Sequence, residues 1–325
     1  TPIKSSAASD VYKRQGQEMI LSNTSKISDV SPYLINNIQF TTDIITMTPP
    51  IILTIAGSDC SGGAGIQADI KTISTLKGYA ASVITAITAQ NTVGVQAVYP
   101  LPADIVKAQI KSVMDDLHPH TIKIGMVHNS SIVYAISQCL QKYKPEIIIY
   151  DPVMISTSGR RLMTEETIQT IKDKLFPLCT LITPNLDETS FLLNQTITDI
   201  KTMENAACRL SDNYHTSVLI KGGHLIGNEM CDILYNEGHI HRFKHQKIES
   251  QNLHGTGCTL SSAIATFLAK GKRLEEAVHQ AKTYINIAIS NGKELQIGQG
   301  NGPLGHFTFE AVSYTHLRAH ETCAD

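Results

Sequence analysis

The sequence predicts an α/β protein with a mostly parallel central sheet and helices on both of its faces. Short apolar runs alternate with segments in which apolar residues recur every three or four positions, and this order of strand and helix builds such a sheet. The runs are continuously apolar, as expected of strands that are buried on both faces. Polar and glycine-rich residues follow most of the runs, at the strand ends where doubly wound sheets bind their ligands.

The composition argues against several classes of protein. The 27 basic and 29 acidic residues give a net charge of −2, so the chain lacks the basic surface that nucleic acid or an anionic membrane would require. No apolar run approaches the roughly 18 residues of a membrane span. The seven cysteines are scattered and contain no Cys-x-x-Cys pair, which argues against disulfides and structural zinc. We therefore expect a cytoplasmic protein without nucleic-acid or membrane partners.

The chain divides into three segments. Residues 1–46 are rich in Ser, Thr and Asn, lack sustained periodicity and precede Met47, which resembles a native start. Residues 6–15 and 312–322 resemble translated sequencing adapters. We predict a non-domain, partly artefactual extension over residues 1–46, one domain over residues 49–308 and an artefactual tail over residues 311–325.

Periodicity predicts the elements of the first half of the domain. Each strand is a short apolar run, and each helix carries an apolar stripe at helical spacing. In chain order the predicted elements are strand 51–56, a helix that leaves the glycine-rich turn at 57–69 and ends near residue 76, strand 81–87, helix 104–117, strand 121–125, helix 130–143, strand 147–150, helix 164–175 and strand 180–183.

The second half continues with more varied elements. We predict a helix at about 202–214, strand 218–221, a hairpin of 232–235 with 239–243 across Asn236-Glu237-Gly238, a helix after Cys258 and a last amphipathic helix after Gly271. Neither an internal repeat nor a linker divides the body of the chain.

The turn at residues 57–69 raises the alternative of a dinucleotide-binding fold. Residues 63–68 fit the pattern G-x-G-x-x-A, but six residues separate them from the preceding strand, whereas the fingerprint requires the turn to follow at once. The next strand also ends at Gln90 instead of an acidic residue that would hold a ribose. Both departures disfavour a Rossmann fold.

A second glycine-rich loop, at residues 252–257, leads into a helix and predicts an anion site. Gly255 and Gly257 allow close approach of a phosphate, Thr256 lies between them, and the helix dipole favours negative charge. Cys258 then stands at the helix N-terminus, where a thiol ionises easily and could act as a base or nucleophile. The structural alternative is a small buried side chain after a loop.

Further polar residues fall at the strand ends. Asp151 alone could belong to a turn, Asn185 could cap a helix with Glu188 in a capping box, and Lys221 could be a solvated charge. Together, a lysine, an anion-binding helix start and carboxylate or amide groups that can hold hydrated Mg²⁺ are the parts that phosphoryl transfer requires. Because no G-x-x-x-x-G-K-[ST] occurs, residues 255–258 would have to replace a P-loop.

These motifs resemble a known family. The segments that carry the resemblance are LTIAGSD at 53–59, SGGAGIQAD at 61–69, AQNT at 89–92, KIGM at 123–126, ITPNL at 182–186, KGGH at 221–224, HGTGCT at 254–259 and GQGNGPLGHF at 298–307. They resemble the hydroxymethylpyrimidine/phosphomethylpyrimidine kinases of thiamine biosynthesis, which have the ribokinase-like fold. The resemblance covers about residues 51–307.

The resemblance implies roles for individual residues. Gln90 and Asp69 would hydrogen-bond the aminopyrimidine substrate. Four small or apolar residues would shape its pocket: Gly57, Ala64, Met126 and Val153. Lys221, Asn185 and Asp151 would serve ATP, and Glu188 and Asp151 would serve Mg²⁺. Cys258 stands where most ribokinase-like enzymes carry an aspartate base, a departure that the pyrimidine kinases share with a group of pyridoxal kinases.

The resulting hypothesis is attack by the substrate's hydroxymethyl oxygen on the γ-phosphorus of MgATP, with Cys258 accepting the proton. A second turnover would convert the monophosphate to the pyrophosphate. Two alternatives stay open: a pyridoxal kinase with the same Cys258 chemistry, and a non-catalytic sensor that binds a nucleotide or pyrimidine. We also expect a homodimer.

Overall fold

The computed structural model describes residues 48–154, 162–223 and 229–307. Within them lie the strands β1 (Ile51–Asp59), β2 (Tyr79–Asn91), β3 (Gly94–Pro100), β4 (Thr121–Ile124), β5 (Ile147–Tyr150), β6 (Leu181–Ile182), β7 (Ser217–Ile220), β8 (Glu229–Asn236) and β9 (His239–Gln246). The helices are α1 (Gly65–Thr75), α2 (Ala103–Asp116), α3 (Ser130–Tyr143), α4 (Glu165–Lys174), α5 (Leu186–Leu193), α6 (Ile200–Tyr214), α7 (Thr256–Ala269) and α8 (Leu274–Gly292).

The strands form one sheet in the order β3-β2-β1-β4-β5-β6-β7-β8-β9. The six strands from β2 to β7 are mutually parallel, and β3, β8 and β9 are antiparallel to their neighbours. The fold is therefore the mostly parallel α/β sheet that the sequence predicts. The order reverses between β1 and β4, and this reversal opens a crevice at the carboxyl ends of the strands.

Successive residues of the central strands enter two separate cores. On β1, Leu53 and Ile55 pack into a core with side chains of α2, α3, α4 and α6, whereas Ile52 packs into a core with side chains of α1, α7 and α8. All three side chains are fully buried. Helices thus cover both faces of the sheet, and this explains the continuously apolar strands.

Local signals place several boundaries. Asn129 and Asp199 accept hydrogen bonds from the first turns of α3 and α6, which fixes the starts of those helices. The β8–β9 hairpin confirms the predicted one and is longer at both ends. Its turn residues, Glu237 and Gly238, both have positive φ (49° and 79°), as a two-residue type I′ turn requires.

The sequence interpretation missed two elements. The edge strand β3 alternates half-buried and exposed residues and lacks a sustained apolar run. Helix α5 is only 8 residues long, so its periodicity is too brief to recognise. The predictions for residues 1–46 and 311–325, and the last residue of KGGH, lie outside the described residues. None of the helices in the described ranges has the length and hydropathy of a membrane span.

Candidate active site

A cleft of about 590 Å³ lies at the carboxyl ends of the parallel strands. Its volume is typical of a small-molecule site. Thirteen of the fourteen predicted site residues line it: Gly57, Ala64, Gln90, Met126, Asp151, Val153, Asn185, Glu188, Lys221, Gly255, Thr256, Gly257 and Cys258. Side chains from distant parts of the chain therefore meet where the strand order predicts a ligand.

Asp69 is the predicted site residue that the structure places elsewhere. Its side chain is fully buried on α1 and does not line the cleft. Both carboxylate oxygens accept from Lys123 Nζ at 2.8 and 2.9 Å, and they also accept from Ser262 Oγ at 2.7 Å and Thr54 Oγ1 at 2.6 Å. The expectation that Asp69 hydrogen-bonds the substrate directly is thus corrected, because its oxygens already serve a buried ion pair.

The loop before α7 has the geometry of an anion site. Gly255 is in the left-handed region (φ +86°), and a Cβ there would lie 1.9 Å from the carbonyl oxygen of Gly63, so only glycine fits. Helix α7 begins at Thr256 without a side-chain cap. Thr256 already donates its N–H to Leu253 O at 3.3 Å. The first-turn N–H groups of Gly257 and Cys258 therefore remain as the donors that face an anion.

The Cys258 thiol does not ionise easily in this environment. Burial raises its pKa to about 11, and the neighbouring Asp69 and Asp151 carboxylates add to the rise. Lys123 and the N–H of Gly65, which donates to the sulfur, oppose it without cancelling it. The expectation of a low thiol pKa from the helix N-terminus is wrong, because burial and the two carboxylates raise it.

Beside the thiol lies a cluster of charges at the ends of β5 and β7. Lys221 Nζ donates to Asp151 Oδ1 at 2.6 Å and lies 4.0 Å from Glu188 Oε2. Burial raises the pKa of Glu188 to about 7, and Asp151 adds to the rise while Lys221 opposes it. Asn185 and Glu188 form the capping box of α5, so their structural role is confirmed although both also line the cleft.

The cluster fits a magnesium ion that is bound together with phosphates. Asp151 Oδ2 is buried and lacks a hydrogen-bond partner in the described parts of the chain. Within those same parts, no group of three or more His, Cys, Asp or Glu side chains forms a metal cluster. Mg²⁺ is commonly held by one or two carboxylates with water and phosphate oxygens completing its shell, and Asp151 with Glu188 provides such a pair.

The part of the cleft that the resemblance assigns to the substrate is built around Asp59, at the end of β1. Asp59 Oδ1 accepts from the N–H and hydroxyl of Ser61 at 2.9 and 2.7 Å, and Oδ2 accepts from the N–H of Ala64 at 2.8 Å. Although burial opposes ionisation, hydrogen bonds from His254 and Ser61 lower the pKa of Asp59 to about 2. The glycine-rich turn is thus folded around a carboxylate, which positions Ala64 against the cleft.

Sequence reasoning did not assign a role to Lys123, which lies in β4 within the segment KIGM. Its ammonium is fully buried against Asp69. Burial alone would lower its pKa, but Asp69, Cys258 and Asp151 raise it above its usual value. Lys123 is therefore a fixed positive charge close to Cys258, at the start of α7. An apolar strand that contains one lysine was the available signal, since a buried lysine requires a partner.

Part of the cleft is apolar. Its wall carries five aliphatic side chains: Ile248, Leu253, Leu260, Ile285 and Ile289. Asn286 on α8 adds one amide, and Lys282 contacts Asp232 and His245 beside it. Such a wall can receive a flat heterocyclic base, next to the loop that would hold its phosphates.

The fold and this cleft define a phosphotransferase of the ribokinase-like class. A family model described as phosphomethylpyrimidine kinase matches residues 59–305. The chain belongs to the phosphomethylpyrimidine kinase family, and it is a kinase.

Individual relatives agree with this assignment. A hydroxymethylpyrimidine/phosphomethylpyrimidine kinase from Rhizobium meliloti is 46% identical over 258 residues, covering 79% of this chain and 97% of the relative. A thiamine biosynthesis bifunctional protein from Geobacter sulfurreducens is 43% identical over 255 residues, 78% of this chain, and this chain spans about half, 52%, of its length.

Solved structures share the fold. The crystal structure of phosphomethylpyrimidine kinase from Clostridium difficile 630 superposes with a TM-score of 0.67 at 43% identity, covering 74% of this chain and 99% of that one. A pyridoxal kinase from Bacillus subtilis in complex with ADP has a TM-score of 0.74 at 33% identity, covering 79% and 97%.

Proposed function

We propose that this protein transfers the γ-phosphoryl group of ATP to 4-amino-5-hydroxymethyl-2-methylpyrimidine, and then to the resulting monophosphate, as a step of thiamine diphosphate biosynthesis. The observation that carries the proposal is that one cleft contains the Gln90 amide, Cys258 and the glycine-rich loop that ends at Gly257, which we name the phosphate loop. An amide can pair with an aminopyrimidine edge, and the loop can hold the phosphates of a nucleotide.

The chain's own residues account for the chemistry. The N–H groups of Gly257 and Cys258 stabilise charge on the transferred phosphoryl group, and Lys221 neutralises part of it. Cys258 accepts the proton of the hydroxymethyl group as its oxygen attacks the γ-phosphorus, and the buried Lys123 stabilises the thiolate that this requires. Asp151 and Glu188 would hold Mg²⁺, which supplies charge neutralisation and orientation of the phosphates when bound.

Pyridoxal is the second candidate substrate, favoured by the structural similarity to pyridoxal kinases. The same loop and thiol would serve its hydroxymethyl group. Gln90 favours the aminopyrimidine, because an amide offers both a donor and an acceptor to the amino group and its neighbouring ring nitrogen.

Product identification tests the proposed function. The purified chain with MgATP should convert hydroxymethylpyrimidine to its monophosphate and then to its pyrophosphate, with one ADP formed per phosphoryl group, when products are separated by chromatography and identified by mass. Binding of the pyrimidine without any phosphorylated product would support the sensor instead. Ribose serves as the negative control, since its phosphorylation would indicate a sugar kinase.

The proposal also includes the bounds of the catalytic domain, the cellular location and the oligomeric state. We place the catalytic domain at residues 49–308 and the enzyme in the cytoplasm, and free cysteines throughout the described residues are consistent with a reducing compartment. A homodimer is a further prediction, which light scattering of the purified protein would test.

A further inference from the structure

One nitrogen of His254 contacts two side chains in the part of the cleft around Asp59. Its Nε2 lies 2.8 Å from Asp59 Oδ2 and 2.9 Å from the amide atom of Gln90 that is assigned as Nε2. The ring is almost completely buried and packs so closely on Gly63 that a Cβ at that glycine would lie 2.4 Å from the ring's Cδ2. The imidazole is therefore fixed in place between a carboxylate and the amide.

The contacts of Asp59 decide where the hydrogen lies. Besides the contact with His254, its carboxylate accepts four hydrogen bonds: from Ser61 N–H and Oγ, from Ala64 N–H at 2.8 Å and from Gly63 N–H at 3.2 Å. A carboxylate held by so many donors is ionised, in keeping with its lowered pKa. His254 Nε2 must then carry a hydrogen and donate it towards Asp59, because a bare ring nitrogen would face an anion with its lone pair.

The hydrogen on Nε2 in turn fixes the direction of the Gln90 amide. An NH₂ group facing that N–H at 2.9 Å would oppose hydrogen to hydrogen, whereas the amide oxygen can accept a share of it. At the other end of the amide, Thr88 Oγ1 donates to Ser58 O at 2.9 Å and lies 3.3 Å from the amide atom assigned as Gln90 Oε1. Because the hydroxyl hydrogen is already used, Thr88 can accept from the amide NH₂. Both ends of the amide therefore favour an exchange of its assigned oxygen and nitrogen, which puts the oxygen towards His254 and the nitrogen towards Thr88.

We propose that His254, held by Asp59, is a positioning residue that fixes the direction of the Gln90 amide and so sets the enzyme's preference for a 4-aminopyrimidine. In this direction Gln90 presents one free lone pair and one free N–H to the cleft. The lone pair accepts from the exocyclic amine, and the N–H donates to the adjacent ring nitrogen. A reversed amide would require the ring to turn over, which would carry the neighbouring hydroxymethyl group away from Cys258. The inference rests on the proposed function.

The test compares hydroxymethylpyrimidine with its analogue that lacks the 4-amino group. In the wild type, kcat/KM should strongly favour the amino compound. His254→Phe keeps a flat ring but removes the donor, so this preference should fall about tenfold while the KM for MgATP stays within about twofold. His254→Gln, whose NH₂ group can donate to both Asp59 and Gln90, should restore the preference to within about threefold of the wild type.

A double-mutant cycle isolates the route through Gln90. If His254 acts through the amide, His254→Phe should change kcat/KM by less than about twofold in a Gln90→Met background. Thr88→Val removes the other contact of the amide and provides a second variant should His254→Phe not fold. We expect it to reduce the preference by about threefold.

Three results would overturn the inference. A folded His254→Phe enzyme with an unchanged preference would show that the amide needs no such anchor. An equal loss on both pyrimidines, together with a raised KM for MgATP, would assign His254 to the structure of the phosphate loop. If the effects of His254→Phe and Gln90→Met on kcat/KM are additive, His254 acts independently of Gln90. By contrast, a wild-type enzyme that does not phosphorylate hydroxymethylpyrimidine would refute the proposed function itself.

Discussion

Lys221 Nζ donates to Asp151 Oδ1 at 2.6 Å, while Oδ2 of the same carboxylate is buried and unpaired among the residues that the structure describes. Leaving a buried carboxylate oxygen unpaired is costly unless a ligand completes its shell. The oxygen points towards the start of α7, since a Cβ added to Gly257 would lie 3.1 Å from it. The pair thus places a cation beside this unpaired carboxylate oxygen, as the proposed binding of phosphate and Mg²⁺ requires.

Asp151→Asn should weaken the use of magnesium. The amide keeps the size of the side chain but removes the charge that Mg²⁺ requires, so the Mg²⁺ concentration that gives half-maximal rate at fixed ATP should rise by about 10–100-fold. Titration of the initial rate with MgCl₂ measures this. Asp212→Asn, an exposed position on α6, is the matched control and should leave the titration unchanged. An unaltered Mg²⁺ dependence in Asp151→Asn would remove Asp151 from the metal site.

Substitution of Gly257 should impair both nucleotide binding and turnover, in proportion to the size of the new side chain. Gly257 lies in the first turn of α7, and a Cβ there would come within 3.1 Å of Asp151 Oδ2 and 3.4 Å of Lys221 Nζ. The reason is therefore crowding of the charged pair, since the positive φ of this loop occurs at Gly255 and not at Gly257. Calorimetric titration with MgATP should give modest weakening for Gly257→Ala and loss of binding for Gly257→Val. Native affinity in Gly257→Val would contradict the location of the phosphates.

Cys258→Ala should separate proton transfer from binding. The backbone donors of the loop survive the substitution, so the Kd of MgATP should stay within about twofold. The loss of a general base typically costs about 10²–10⁴-fold in rate, and kcat should fall within that range. Near-native kcat would mean that the electrostatics of the loop carry the chemistry without the thiol.

The raised thiol pKa gives this role a pH signature. Because burial raises the pKa of Cys258 to about 11, the thiolate fraction increases about tenfold per pH unit below that value. The kcat/KM of the wild type should rise with a slope near +1 in log units from about pH 7 to pH 10, and this slope should be absent in Cys258→Ala. Inactivation by iodoacetamide should be slow at neutral pH and accelerate in parallel. A plateau already reached near pH 8 would contradict a thiol whose pKa is raised.

The sequence was sufficient wherever a local pattern determines the structure. Helix α3 and strand β5 have the predicted boundaries, because an N-cap, an apolar stripe and a buried run each leave a signature in consecutive residues. The sequence provides no such signal for Asp69, because a motif does not show whether its carboxylate faces a cleft or a buried lysine. Which of these occurs depends on Lys123, 54 positions away.

The electrostatics of the site depend on such distant contacts as well. A cysteine at a helix start suggests a low pKa when only the helix is considered. The burial of Cys258 and the proximity of two carboxylates, Asp69 on α1 and Asp151 after β5, reverse that expectation. In the same way, the His254 contact with Gln90 joins residues 164 positions apart, and no spacing in the sequence could reveal it.

Gln90→Met should discriminate between the two candidate substrates. Methionine fills similar space but cannot pair with the amino group or the ring nitrogen. Because loss of a buried polar partner costs about 1–3 kcal/mol, kcat/KM for hydroxymethylpyrimidine should fall roughly tenfold or more, while that for pyridoxal should change little. Equal losses on both substrates would indicate that Gln90 supports the fold of the cleft without recognising the pyrimidine.

Selection of an aminopyrimidine alcohol for phosphorylation is the property of this cleft that a single experiment tests most directly. Competition between hydroxymethylpyrimidine and pyridoxal at equal concentrations, in one reaction with MgATP, measures the ratio of their kcat/KM values directly from the two products. We expect the phosphorylated pyrimidine to exceed pyridoxal phosphate by at least about tenfold, the factor that Gln90 should provide. A product mixture dominated by pyridoxal phosphate would contradict the proposed substrate and assign the enzyme to vitamin B6 phosphorylation.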